Sequence, residues 1–319
     1  MAAISPPEPR IEPGPEGPDT GQARKGYRTI AWARRRRSLS AYWRSFRGSA
    51  PGMIGLTVLV IFVVLAVFAP LIVNEDQFDL LKAPGRPYEP PSAQHLLGTD
   101  DFGRDVLSML IYGSRISLIV GLAATVGTML LGAVVGIASG YYGGKTDTLL
   151  NALMNWFLVI PWIALAIVLA SILGRSLNSI ILVIAITSWA GTARLVRAQA
   201  LTVKERPYVE RARALGAGDW HLITRHILPN VFPVIFANTV LTVALCILAE
   251  TTLSFLGLGD PNSISWGTII EESFTGGAMS NGYWWWLIPP GVAIVLVTLS
   301  FTMCGYALDE ILNPRLRER

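Results

Sequence analysis

Residues Met53 to Val73 read MIGLTVLVIFVVLAVFAPLIV, a run of 21 residues without Asp, Glu, Lys or Arg. A helix rises about 1.5 Å per residue, so roughly 20 such residues cross the hydrocarbon core of a bilayer. Working outward, four more uncharged runs follow: Ile116 to Ala138, Leu149 to Leu173, Ile227 to Ala249 and Leu287 to Leu308. A sixth, Leu177 to Ala193, is shorter but extends to Arg197, because the long stems of Arg194 and Arg197 reach the interface. Runs of this length and number exclude the buried helices of a soluble protein. The expected fold is an all-α integral membrane protein of six transmembrane helices, spanning about 53–73, 116–138, 149–173, 177–197, 227–249 and 287–308.

The composition agrees. Of 319 residues, 52% are hydrophobic and 15% charged, against about 25% charged in ordinary soluble domains. Two cysteines exclude a disulfide framework, and three histidines without an HExxH pattern speak against a zinc hydrolase. Cys246 near the outer end of the fifth run and Cys304 toward the inner end of the sixth are too far apart to pair, so both are expected as free thiols. No carboxylate pair, Ser/His arrangement or ligand cluster lies at membrane depth, so no catalytic or metal site is expected.

Basic residues give the orientation, because segments retained in the cytoplasm are rich in Lys and Arg. With the N-terminus inside, 21 of the 26 basic residues fall inside and five outside: Lys82, Arg86, Arg104, Arg115 and Arg175. Both termini are therefore expected in the cytoplasm. The split also accounts for a pI near 9.2 without nucleic acid.

Residues 1–37 carry Pro6, Pro7, Pro9, Pro13, Pro15 and Pro18 ahead of the run Arg34 to Arg37, a composition expected to stay disordered. Over 38–52, Leu39, Tyr42, Trp43 and Phe46 fall at helical spacing with Arg44 and Arg47 between them. They predict an amphipathic helix on the inner face against membrane lipid, the alternative being a solvated basic linker. Tyr283 to Trp286 reads as an interfacial aromatic belt, or else as a stacking platform. Residues 53–312 make the six-helix domain, and 313–319 a cytoplasmic tail.

Ser139 to Thr146 reads SGYYGGKT, one residue away from the phosphate-binding GxxxxGK[ST]. It ends a membrane span instead of linking a strand to a helix, so a nucleotide site is not expected there. Gly132 and Gly136 form a GxxxG pair suited to close helix packing. The spans hold no charge away from their ends. Their neutral polar residues include Asn151, Asn155, Thr187, Ser188, Asn238, Thr239 and Thr242, which either line a wet path or bond neighbouring helices. Asn155, Ser188, Asn238 and Thr242 are the candidates for the path.

The connection between the fourth and fifth spans, with its loop at 204–226, begins KERPYVERARALGAGDWHLITRHILPN, Lys204 to Asn230. Pro207 suits a helix start, Tyr208, Ala212 and Leu215 share one face, Gly216 and Gly218 stop the helix, and Asp219 is placed to cap the next. Two turns are not stable alone, so this helix packs on the chain's own spans or serves as a knob for a partner.

Glu210, Ala212, Gly216 and then Leu228-Pro229 resemble the EAA loop of the membrane subunits of bacterial ABC importers. His95 to Gly121 (HLLGTDDFGRDVLSMLIYGSRISLIVG) and Ala249 to Gly267 (AETTLSFLGLGDPNSISWG) resemble signatures of the C-type permeases of dipeptide and oligopeptide importers, a group that includes nickel permeases. The likeness runs from about Leu39 to Arg315.

The resemblance implies a type I ABC importer permease in the bacterial inner membrane, with no catalytic role of its own. It implies a path formed with a homologous second permease as a heterodimer, two ATPase subunits carrying ATP and Mg, and an extracytoplasmic substrate-binding protein. Tyr208, Glu210, Ala212, Leu215, Gly216, Asp219, Leu228 and Pro229 would serve ATPase coupling. Gly98, Thr99, Asp100, Gly103, Arg104, Asp105, Gly257, Gly259, Trp266 and Gly267 would form the outer family motif. Arg211 and His226 stand where the loop motif has Ala and Ile. Ala152 and Asn155 stand where relatives carry Arg and an acidic residue. The implied substrate is a short peptide, with nickel or another small solute as the alternative. A secondary transporter or a membrane-embedded enzyme lacks the ionisable or catalytic groups it needs.

Overall fold

The computed structural model describes residues 42–79 and 82–312, so the 1–37 and 313–319 tails lie outside it. Among the described residues there is no strand, only an isolated bridge between Thr99 and Asp105. Five helices are long and apolar enough to cross a membrane. They are α1 (Ala50–Ile72), α2 (Val106–Tyr142), α5 (Leu177–Lys204), α7 (Asp219–Leu258) and α10 (Trp284–Leu312). Between α2 and α5 lie α3 (Gly144–Val159) and α4 (Trp162–Leu173), bent from one another by 91°. Short helices among the described residues include α6 (Pro207–Ala214), α8 (Trp266–Thr275) and α9 (Ala278–Asn281).

The third span expected over 149–173 falls on this bent pair. Pro161 has no N–H to give to the preceding turn, and Ile160 before it is extended at φ −68°, ψ 128°. The run is uncharged throughout, yet it turns a corner in the middle.

The expected helix over 38–52 is also divided. Residues 42–47 are helical and end at Gly48, whose N–H returns to Arg44 and Ser45. In that segment Trp43 stacks on Phe46 at 6.0 Å and Arg47 lies over Trp43 at 5.1 Å. Residues 50–52 instead open α1, whose N-cap is Ser49. Residues 38–41 lie outside the described chain.

Helix ends elsewhere follow local chemistry. Asp105 caps α2, Ser176 caps α5, and Ser265 with Thr268 forms a capping box on α8. α2 and α5 form the central contact, where small residues let the backbones approach. A Cβ on Gly132 would stand 2.6 Å from Thr192 Cγ2, and one on Gly136 2.5 Å from the Ala193 carbonyl oxygen. Gly140 extends the stripe, facing Ala200 at 2.8 Å.

Among the described residues the helices enclose several apolar cores, two of them large. One gathers Met129, Tyr141, Val196, Val203, Val209, Leu222 and Ile227 toward the basic, inner end. The other, around Val120, Ala166, Ile180, Val183, Cys246 and Leu253, lies toward the outer end. Cys246 and Cys304 are both buried free thiols.

Candidate functional site

At the inner end, α6 starts with Pro207 at its first turn and closes on a glycine. Gly216 has φ +86°, and its N–H bonds the Arg213 carbonyl at 2.9 Å while that of Ala217 bonds the Ala212 carbonyl at 3.0 Å. This pair of bonds is a Schellman motif, which favours glycine at the left-handed position. Val209 is fully buried in the inner core and Ala212 packs against it. Tyr208 and Leu215 point away, and Leu215 is 89% exposed. The three-residue face Tyr208, Ala212, Leu215 is therefore split between the core and the solvent side. Ala212 and Gly216 still share a shallow depression of about 430 Å³ with Leu215, Gly218 and His221.

Asp219 does not cap the next helix. Gly218 holds the N-cap position, and the Asp219 carboxylate accepts a 2.6 Å hydrogen bond from the Tyr141 hydroxyl. Trp220 beside it is 79% exposed. Leu228 and Pro229 follow a π turn over Ile223–Ile227, where the missing N–H of Pro229 is absorbed by the wider turn. His226, in that turn, lies 5.9 Å from Tyr208 and 5.8 Å from His221. Glu210 lies exposed on the first turn of α6.

Farther out, a groove of about 740 Å³ opens between the α3–α4 break, α5 and α7. Ser188, Asn238 and Thr242 line it together with Thr187, Thr192 and Thr252. Asn238 Nδ2 donates to Thr192 Oγ1 at 3.3 Å and to Thr242 Oγ1 at 3.4 Å. The Thr187 and Thr242 hydroxyls donate to backbone carbonyls at 2.8 Å each, which leaves their oxygens as acceptors. Asn155 is not part of this wall. It lies nearer the inner end and accepts from Arg194 Nη2 at 2.7 Å.

At the outer end the two family motifs meet in one polar junction. Asp100 is fully buried; its Oδ1 accepts the backbone N–H of Phe102 at 2.9 Å and of Arg104 at 2.7 Å, and its Oδ2 pairs with the Arg104 side chain. Arg104 Nη2 then reaches Glu272 of α8 at 2.8 Å. Burial works against the Arg104 cation, but Glu272 and Asp100 hold its pKa above the ordinary value. Burial pushes the Glu272 carboxyl up, with Arg104 pulling it down.

Asp105 accepts from Ser108 N–H at 2.8 Å and faces His95 Nδ1 at 3.1 Å. Gly98 and Gly103 sit at φ +63° and +84°, and a Cβ on either would overlap the backbone of Glu89 or Gly85. Trp266 N–H bonds Ser117 Oγ at 3.1 Å, and Gly267 lies against Thr251 and Ser254. Gly259 also abuts Ser254, whereas Gly257, at φ +74°, faces Arg175.

The aromatic run is corrected here. Trp284 is exposed, but Trp286 is fully buried and Trp285 Nε1 donates to the Thr99 carbonyl at 3.2 Å, so only part of the run is available to an interface. Tyr283 stacks on Tyr88 at 4.6 Å. Sequence reasoning also missed Glu250. The uncharged run stops at Ala249, but α7 continues to Leu258 and carries Glu250 inside it, 1% exposed, with Ser254 Oγ donating to Oε1 at 2.9 Å. The small hydroxyl residues after it, Thr251, Thr252 and Ser254, were the available signal that the helix goes on.

Comparison with known proteins places this architecture. Residues 130–318 match the family described as binding-protein-dependent transport system inner membrane component, and 39–91 match the N-terminal TM domain of oligopeptide transport permease C. A Brucella suis protein provisionally named as a peptide transport system permease is 40% identical over 283 residues, covering 86% of this chain and 89% of its own. The oligopeptide transport system permease protein OppC of Bacillus subtilis is 36% identical over 276 residues, covering 86% and 88%. An inward-facing structure of the MetNI methionine ABC transporter shares the fold at a TM-score of 0.50 and 20% identity, over 66% of this chain and 97% of its own. The chain belongs to the inner membrane components of binding-protein-dependent ABC transport systems, as a multi-pass permease of the bacterial inner membrane.

Proposed function

We propose that the chain forms half of the path of an ATP-driven importer of short peptides. Its groove has a mostly apolar wall that carries hydroxyls and one amide and no ionised side chain, a surface suited to peptides of varied sequence. The relatives above are named for peptide transport, which favours that substrate over nickel or another small solute. A homologous second permease closes the other half of the path as a heterodimer. A substrate-binding protein outside delivers the peptide, and two ATPase subunits hold ATP and Mg, neither of which this chain binds.

The observation that carries the reading is the division of α6. Val209 ties it to the chain's own core while Leu215 and Trp220 stand 89% and 79% exposed beside it. Exposed apolar side chains on a firmly seated element are what a partner cleft requires. The test is Leu215→Asp, scored for membrane abundance, retained ATPase and uptake of a labelled tripeptide. Normal abundance with lost ATPase and lost uptake is expected. Normal uptake per inserted copy overturns the coupling role, and nickel uptake without peptide uptake overturns the substrate.

A further inference from the structure

The SGYYGGKT turn lies where the inner end of α2 meets the coupling loop, and its side chains bind both sides of that junction. Tyr141 is 3% exposed, packed in the inner core, and its hydroxyl donates to Asp219 Oδ1 at 2.6 Å. Two cations lie over its ring, Lys204 Nζ at the end of α5 and Arg213 Cζ of α6, each 5.9 Å from the centroid. One side chain thus touches α5, α6 and the first residue of α7. Two residues earlier, Ser139 Oγ donates to Asp147 Oδ1 at 2.5 Å. Asp147, on the first turn of α3, takes two more bonds from Arg197 at 2.6 and 2.7 Å. α3 then runs to the break at Ile160-Pro161, which forms one wall of the groove.

We propose that Tyr141 is a positioning residue of the transport cycle: a latch that joins the coupling loop, through Asp219, to the α2–α3 turn and so to the broken helix at the groove. The proposal rests on the importer reading above. A loop held to the spans only by apolar packing slides when a partner pushes it, because such contacts have no direction. A 2.6 Å bond to a carboxylate, from a ring that two cations approach, fixes the separation and the angle. Through Ser139 and Asp147 the same displacement reaches the start of α3 and not α5 alone.

The test uses the transporter purified from native membranes through a tag on this chain, with a labelled tripeptide as probe. Tyr141→Phe removes the hydroxyl and keeps the ring; Tyr142→Phe, at an exposed neighbour, is the control. In Tyr141→Phe, abundance, retained ATPase and ATP hydrolysis should stay within about twofold of the parent while uptake per inserted copy falls about tenfold, the scale of one lost charge-assisted hydrogen bond. Asp219→Ala should show the same fall in uptake per inserted copy, and Asp219→Asn, which keeps an acceptor, should recover most of it. Because the two residues act through one bond, the double variant Tyr141→Phe, Asp219→Ala should fall about tenfold and not about a hundredfold. Unchanged uptake, multiplying losses in the double variant, or losses tracked by abundance or by retained ATPase overturn the latch. A parent complex without ATP-dependent uptake removes the importer reading, and the latch with it.

Discussion

The outer junction and the inner loop are both motif-bearing, but they spend their residues in opposite ways. Outside, Asp100, Arg104 and Glu272 satisfy one another, Gly98 and Gly103 sit under neighbouring backbone, and Trp285 and Trp286 are covered. Inside, the loop buries Val209 and leaves Leu215, Trp220 and Glu210 open. A motif that closes on itself sets a shape; one that keeps apolar side chains exposed is shaped for something else. Recognition of a motif in sequence does not separate these cases, whereas burial does.

The sharpest way to break the contrast is Arg104→Ala. It strands a fully buried carboxylate, and losing one member of a buried pair costs about 3–5 kcal/mol. Membrane abundance and thermal stability should fall steeply, while the copies that survive remain coupled to ATP. Uncoupled but abundant protein would show that the outer junction also signals. Next comes Gly103→Ala, which combines a left-handed φ of +84° with overlap on Gly85; about 1–3 kcal/mol should be lost, read as a lower melting temperature.

On the inner side the order of effects reverses. Gly216→Trp costs about 1–2 kcal/mol for the left-handed backbone but meets open space, with no heavy atom within 4 Å of a Cβ. Gly216→Trp and Glu210→Lys should insert at close to normal abundance yet lose uptake and retained ATPase. Equal abundance loss at Gly103 and Gly216 would erase the distinction between the two ends.

The smallest expected effect is in pH. Burial first, and Asp100 second, push the Asp101 carboxyl above its ordinary 3.8. The folded state then holds this proton more tightly than the unfolded chain, so the group lowers stability as pH rises through the interval just above 3.8. Melts at pH values across that interval should show a slightly flatter profile for Asp101→Asn than for the parent. An unchanged profile assigns the slope to other groups.

Hydropathy made five of the crossings legible because an uncharged run of the right length has few other uses. It is blind to direction, which is why the corner at Ile160-Pro161 was invisible. A proline is no guide by itself: Pro70, Pro233, Pro289 and Pro290 all sit inside continuous helices. What differs at Pro161 is that Ile160 adopts an extended conformation, a tertiary outcome. Charge counting also ended the fifth run at Ala249 and so hid Glu250, because buried hydroxyls can support a carboxylate that composition treats as a boundary. Among the candidate path residues, Ser188, Asn238 and Thr242 converge on the groove, while Asn155, equally polar, is bound by Arg194. Polarity alone does not say which way a side chain faces.

The corner in α3–α4 has an electrical consequence. The last intrahelical bond of α3 runs from Ile160 N–H to the Trp156 carbonyl at 3.3 Å, and Pro161 offers no N–H to the carbonyl of Phe157. The final turn, Phe157 to Ile160, forms part of the groove wall. A helix end of this kind carries roughly half a negative charge on its backbone oxygens. The first residues of α4, Pro161 and Trp162, line the same groove and bring a helix N-terminus of opposite partial charge beside it, so the corner sets two opposed helix ends into a wall that has no ionised side chain.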